Sequence, residues 1–283
     1  MHPRIGLVLG GGGTRGIAHI GVLQVLVREQ IPIDFIVGTS MGGIAGVLFA
    51  LGFTPDDLAD RLRDMEGSSL INLRRLSARA RQRMLRESLA EVLEDRTFAD
   101  LRVPVTLMAV DMLHGREVAL SEGSLMPAVL ATSAVPAIFP PVDLNGMQLA
   151  DGGVIDSLAT HVAFEQGADR VIAVDVYPPL EKDDPWVDPI SAIVGFQLPF
   201  SFSASSNTAK PPSLFASIWR SVRVMAWYIH EERLSASPPD VLLRPEVANY
   251  GSLDFRDLSG PLQAGVEEAE RRLPELRALV AAG

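Results

Sequence analysis

Apolar positions along the chain come in two rhythms. Compact apolar runs at residues 5–9, 33–37, 103–110 and 170–176 have the length and composition of buried strands. Other stretches repeat apolar residues every three or four positions. Ile17, Ile20, Leu23, Leu26 and Val27 do so after the first run, and the Ala/Val/Leu-rich residues 42–51 form a helical pattern after the second. Further helices are predicted over about 159–166, 217–234 and 262–280, the last interrupted at Pro274, and residues 53–100 read as polar helices. Residues 117–120 follow a turn at His114-Gly115 and add a strand, as does 241–244. Residues 142–144 and 147–149 flank Asn145-Gly146, a strong hairpin signal. Ser124 is placed to cap a helix running to about Ala131. Between 178 and 216 both rhythms fail: the stretch is rich in Pro and Ser, yet carries Trp186, Ile190, Ile193, Val194, Phe196, Leu198, Phe200 and Phe202.

The punctuation between strand and helix carries the chemistry. The run ending at Val37 passes directly into Gly38-Thr39-Ser40-Met41-Gly42 and then into a helix. G-x-S-x-G in that setting is a nucleophile elbow: the serine sits on a sharp turn with its hydroxyl raised, and the helix dipole begins beneath it. The first strand empties in the same way into Gly10-Gly11-Gly12-Gly13-Thr14-Arg15-Gly16, where unpaired N–H groups converge at a helix start. Gly11, Gly13 and Gly16 also satisfy the dinucleotide fingerprint, with Asp34 at about the expected distance. However, that acid precedes the second strand, which ends in Ser40 instead, so an oxyanion hole serving the serine is the better use of the loop. The second hairpin strand delivers Asp151-Gly152-Gly153, a carboxylate held in a tight loop. His19, one turn into the first helix, is read as structural.

Composition narrows the classes. The 283 residues, at mean hydropathy +0.21, suffice for one domain with a large core, and no linker divides them. With zero cysteines, disulfides, thiolate metal sites and a Cys nucleophile are excluded. A formal charge of −10 argues against nucleic acid as a partner. Eight arginines between Arg61 and Arg86 face only Asp64 and Glu66, and the Arg74–Arg86 core of this cluster would suit an anionic surface or simply a solvated helix face. Residues 35–55 are uncharged and long enough to span a membrane, but their five glycines and the Thr39-Ser40 turn fit a buried strand-turn-helix, and no transmembrane segment is expected. The N-terminus enters a strand at once, with no signal-peptide pattern.

The ordered set Gly11-Gly12-Gly13-Thr14-Arg15-Gly16, Gly38-Thr39-Ser40-Met41-Gly42 and Asp151-Gly152-Gly153 resembles the three signatures of patatin-like phospholipases, the bacterial members above all. Residues 15–23 and 133–141 look typical of them too; Ala159 stands where such proteins often carry proline. The resemblance implies a three-layer α/β/α fold with a mainly parallel sheet, and the chain is expected to form one such domain over residues 4–280 with an irregular apolar insertion at 178–216. It implies Ser40 as nucleophile, Asp151 as base, and Gly12 and Gly13 N–H groups as the oxyanion hole, with Arg15 shaping the loop or assisting. The implied substrates are acyl esters of phospholipids, lysophospholipids or neutral lipids; no metal or cofactor is called for. A location in the cytoplasm is expected, with membrane contact through 185–202 and Arg74–Arg86. Two alternatives stay open: a Ser-His-Asp triad using His161 or His230, and a catalytically silent lipid-binding regulator.

Overall fold

The computed structural model describes residues 2–65, 76–180, 214–252, 255 and 257–281. Its centre is an eight-stranded sheet made of β1 (Ile5–Leu9), β2 (Phe35–Thr39), β3 (Val105–Asp111), β4 (Arg116–Leu120), β5 (Val142–Leu144), β6 (Met147–Asp151), β7 (Arg170–Val174) and β8 (Val241–Leu243). The order is β5-β6-β3-β2-β1-β7-β8, with β4 paired to β3. β3, β2, β1, β7 and β8 run parallel, while β4, β6 and β5 join as antiparallel strands at the β3 side. The helices are α1 (Ala18–Arg28), α2 (Met41–Ala50), α3 (Pro55–Met65), α4 (Ala78–Leu93), α5 (Leu125–Thr132), α6 (Thr160–Glu165), α7 (Leu214–Ala236), α8 (Ser259–Arg271) and α9 (Leu273–Ala281).

The uninterrupted apolar runs become strands buried on both faces, which is what a parallel sheet between two helical layers needs. In β1, Ile5, Leu7 and Leu9 point into one core, with α1, α2, α4, α5, α8 and α9; Val8 points into the other, with Val162 and Ala163 of α6 and Leu234 of α7. Three layers follow from that alternation: helices, a mixed and mostly parallel sheet, helices.

Several boundaries differ from the sequence pattern for local reasons. β2 starts at Phe35, not Ile33, because Asp34 turns its carboxylate back to accept the Ile5 N–H at 2.6 Å. That contact commits one Asp34 oxygen to the start of β1. The first helix is preceded by a tighter 3-10 turn over Gly13–Ile17. The terminal helix splits at Arg272, leaving Pro274 in the first turn of α9, where its missing N–H costs nothing. Asn145 and Gly146 both take positive φ (51° and 76°), as the hairpin turn requires.

No helix among the described residues is long and apolar enough to cross a membrane. The stretch 185–202, most of the 178–216 insertion, and Arg74 and Arg75 lie outside the described residues. The remaining arginines of that cluster sit on α4 and are partly engaged within the chain. Arg81 donates to the Ile138 carbonyl at 3.0 Å, Arg83 pairs with Glu87 at 3.8 Å, and Arg86 pairs with Glu94.

Candidate active site

Ser40 stands between β2 and α2 with φ 54° and ψ −124°, a backbone that costs a side-chain-bearing residue roughly 1–3 kcal/mol and persists only when its surroundings enforce it. Three contacts do so. The Ser40 N–H donates to Thr132 Oγ1 at 2.9 Å, and that hydroxyl, fully buried, donates onward to the Met108 carbonyl at 2.6 Å. The Ser40 carbonyl accepts the Ile44 N–H at 3.0 Å, starting α2. Gly42 then lets α2 lie directly against the end of β1: a Cβ there would stand 2.2 Å from the Leu9 carbonyl oxygen.

Asp151 arrives by sheet register. β2 leaves β3 with Thr39 opposite Met108, and β6 joins β3 with Asp151 opposite Ala109, the next residue. The carboxyl is thereby set beside the elbow, near enough for the Ser40 hydroxyl to pull its pKa down. The Gly153 N–H donates to its Oδ1 at 2.8 Å, and the Asp151 N–H is held by the Ala134 carbonyl at 3.0 Å. Burial pushes the Asp151 pKa up to about 6, against the downward pull of the nearby Ser40 hydroxyl and the Gly153 N–H.

The glycine loop lies on the other side of Ser40; a Cβ on Gly11 would sit 3.4 Å from the serine Cβ. Gly10 donates its N–H to the Val174 carbonyl at 3.1 Å, and Gly11 to the Ser157 carbonyl at 2.9 Å. His19 holds the Gly10 carbonyl through Nε2 at 2.7 Å. Burial lowers the His19 pKa to about 4, so the ring is neutral with its proton on Nε2, the tautomer that a carbonyl partner demands. Beyond the loop, the Thr14 N–H meets the Ser252 carbonyl at 3.0 Å and Arg15 Nη1 meets Ser252 Oγ at 2.9 Å. Gly13, at φ +60°, passes so close that a Cβ would lie 2.0 Å from the Ser252 oxygen. The Gly12 and Gly13 N–H groups make no hydrogen bond among the described residues. The Arg15 guanidinium thus reaches Ser252, beyond the glycine loop.

The structure brings Ser40, Asp151, Gly12 and Gly13 to one place and leaves both candidate triad histidines out of it. His161 faces Asp156 at 3.4 Å and Glu117 at 3.7 Å; the hydrogen bond with Asp156 raises its pKa. His230 stacks on Tyr177, with centroids 4.7 Å apart, and meets Asp175 at 3.2 Å. Glu117, Asp156 and His161 are close enough to share an ion, but Arg233 already bridges the two carboxylates at 2.8 and 3.2 Å. A cleft of about 510 Å³ opens beyond β7, lined in part by Asp175, Tyr177, Trp227 and Arg244; Ser40 does not line it. Thr132, Ser157 and Ser252 were not singled out by sequence. Each acts through a partner at least 92 positions away, a relation that no local pattern carries.

A serine on a strained elbow, a buried carboxylate beside it and a loop whose Gly12 and Gly13 N–H groups are unengaged among the described residues, set at the strand ends of an α/β/α sandwich, make an arrangement suited to acyl transfer. The model of the patatin-like phospholipase family matches residues 7–164, more than half of the chain, and the chain belongs to that family. An uncharacterised NTE family protein of Mycobacterium tuberculosis is 33% identical over 178 residues, 62% of this chain and 49% of that protein. A protein named lysophospholipase NTE1 from Pyricularia oryzae is 28% identical over 96% of this chain and 18% of its own length. The chain therefore spans about half the length of the mycobacterial relative and under a fifth of the fungal one. Among solved structures, VipD from Legionella pneumophila shares the fold, with TM-score 0.51 and 12% identity over 98% of this chain and 67% of that one.

Proposed function

We propose that the chain is a serine acyl-ester hydrolase acting on lipids, with Ser40 as nucleophile and Asp151 as its base. The strained Ser40 elbow with the buried Asp151 carboxyl delivered beside it by sheet register carries the reading. Asp151 takes the hydroxyl proton as Ser40 Oγ bonds to the ester carbonyl carbon, and the electron pair displaced onto oxygen is met by the Gly12 and Gly13 N–H groups. The tetrahedral species collapses, the C–O bond breaks, and the alcohol leaves with the proton from Asp151. Water, deprotonated by the same carboxylate, then releases the fatty acid and restores Ser40.

A carboxylate of ordinary pKa is a feeble base; burial that lifts Asp151 to about 6 narrows the gap while leaving the anion dominant at neutral pH. The family, together with the name of the fungal relatives, supports phospholipid and lysophospholipid esters as the substrate class. Contact with a lipid surface goes with such substrates. The exposed apolar residues of α7 (Leu214, Ile218, Val222, Met225 and Ile229) recur at helical spacing on one face and suit it. Hydrolysis tested across phospholipid, lysophospholipid, triglyceride and short-chain esters, with Ser40→Ala alongside, is the direct test. Turnover by the wild type and none by the variant is expected; equal turnover by both rejects the assignment.

A further inference from the structure

We infer that Ser157 is a positioning residue for the oxyanion hole, acting through the peptide that joins Gly11 to Gly12. The inference rests on the proposed hydrolase reading and goes beyond it to a residue outside all three glycine and acid motifs. A peptide unit is planar and trans, so its C=O and N–H point in opposite directions, and fixing one aims the other. Ser157 Oγ donates to the Gly11 carbonyl at 3.0 Å. The N–H on the far side of that same peptide belongs to Gly12, which makes no hydrogen bond among the described residues and adjoins the Gly11 that packs on Ser40. Without a partner on the Gly11 carbonyl the peptide would be free to rotate, because glycines flank it on both sides and no Cβ opposes the turn.

The bond belongs to a relay. His19 Nε2–H holds the Gly10 carbonyl at 2.7 Å, which sets the Gly10–Gly11 peptide. The N–H of that peptide donates to the Ser157 carbonyl at 2.9 Å, and the Ser157 hydroxyl returns to the Gly11 carbonyl. Gly11 and Ser157 thus hold each other at both ends, and each donor in the chain polarises the next. Ser157 is nearly fully buried, so water does not replace its hydroxyl readily. It also lies six residues after Asp151 on the same loop, so one segment carries the base and braces the oxyanion donor.

Ser157→Ala deletes only the hydroxyl bond and leaves the main-chain bond from Gly11, whereas Ser157→Thr keeps a hydroxyl. Removing a whole oxyanion donor costs about 10²–10³ in kcat, so loss of its aim is expected to cost about 10–10²-fold. With a short soluble ester, Ser157→Ala should lower kcat by that factor with KM within about twofold, the mark of an interaction made in the transition state alone. A trifluoromethyl ketone, whose adduct on Ser40 places an oxyanion in the hole, should lose affinity by the same factor as kcat/KM. Ser157→Thr should recover to within about threefold of wild type. Three results overturn the inference: turnover by Ser157→Ala within about twofold of wild type, equal loss in the Ala and Thr variants, or lost kcat with unchanged ketone affinity. A wild type that neither hydrolyses the ester nor binds the ketone overturns the hydrolase reading itself, and the inference with it.

Discussion

Asp151 is held between two demands. The base role proposed for it requires the anion, while its burial favours the acid and places the pKa at about 6. Activity should therefore fall as pH drops through about 6, on the acidic limb of kcat/KM. Stability should run the other way. The folded pKa lies above the unfolded one, so the contribution is present in full below about pH 4 and is lost as pH rises through about 6. A rise from 3.8 to about 6 corresponds to roughly 3 kcal/mol against the anion. Asp151→Asn should then be inactive yet more stable than wild type at pH 8, by up to that amount, in denaturant unfolding. A less stable Asn variant would contradict the electrostatic account. Thr132 poses the opposite case, since its hydroxyl satisfies two buried main-chain groups, the Ser40 N–H and the Met108 carbonyl. Thr132→Val, equal in shape, should cost about 1–3 kcal/mol for each group left unpaired and lower kcat, whereas Thr132→Ser should stay near wild type in both measurements.

At the scale of elements, the sequence was most readable where one physical cause acts over a short span. Apolar runs gave the strands, Asn145-Gly146 gave the hairpin, and the order strand, glycine turn, helix gave the elbow and the loop. Ser40 and Asp151 were legible because motifs carry them. What was not legible depends on register. Asp151 reaches Ser40 because β6 takes up β3 at Ala109, one residue after β2 leaves it at Met108, and no local pattern encodes that handover. The split between α8 and α9, by contrast, could be read from Pro274 alone. The partners of the histidines are set by elements as well: α7 carries His230 to Asp175 at the end of β7, and α6 carries His161 to Asp156. His161→Ala should accordingly keep activity within about threefold. His230→Ala removes one of the partners that outweigh burial and hold the Asp175 pKa low, so it should lower Tm by several degrees while the folded protein keeps kcat within a few-fold. A loss of ~10³ or more from either substitution, with the fold intact, would restore a triad.

On the scale of the whole molecule, the two faces of α7 pose the remaining question. Its inner side is anchored by His230 and Leu234, both buried, while its outer side exposes a stripe that an ordinary surface helix would make polar. An acidic protein gains little from charge at a lipid surface, so this apolar stripe is expected to carry the contact. Co-sedimentation with neutral phospholipid vesicles should fall for an Ile218→Ser, Met225→Ser double variant, with Tm and hydrolysis of a soluble ester unchanged. Unchanged vesicle binding, or a lowered Tm, would mean that the stripe is covered by protein instead.

The central claim is that one serine and one carboxylate perform the acyl transfer, and the most direct measurement is to map and time the adduct of a fluorophosphonate ester by mass spectrometry. The account predicts a single adduct on Ser40, none in Ser40→Ala, and labelling of Asp151→Asn slowed by about 10² or more, the scale of general-base assistance. An adduct on another serine, or labelling of Asp151→Asn at the wild-type rate, would contradict it.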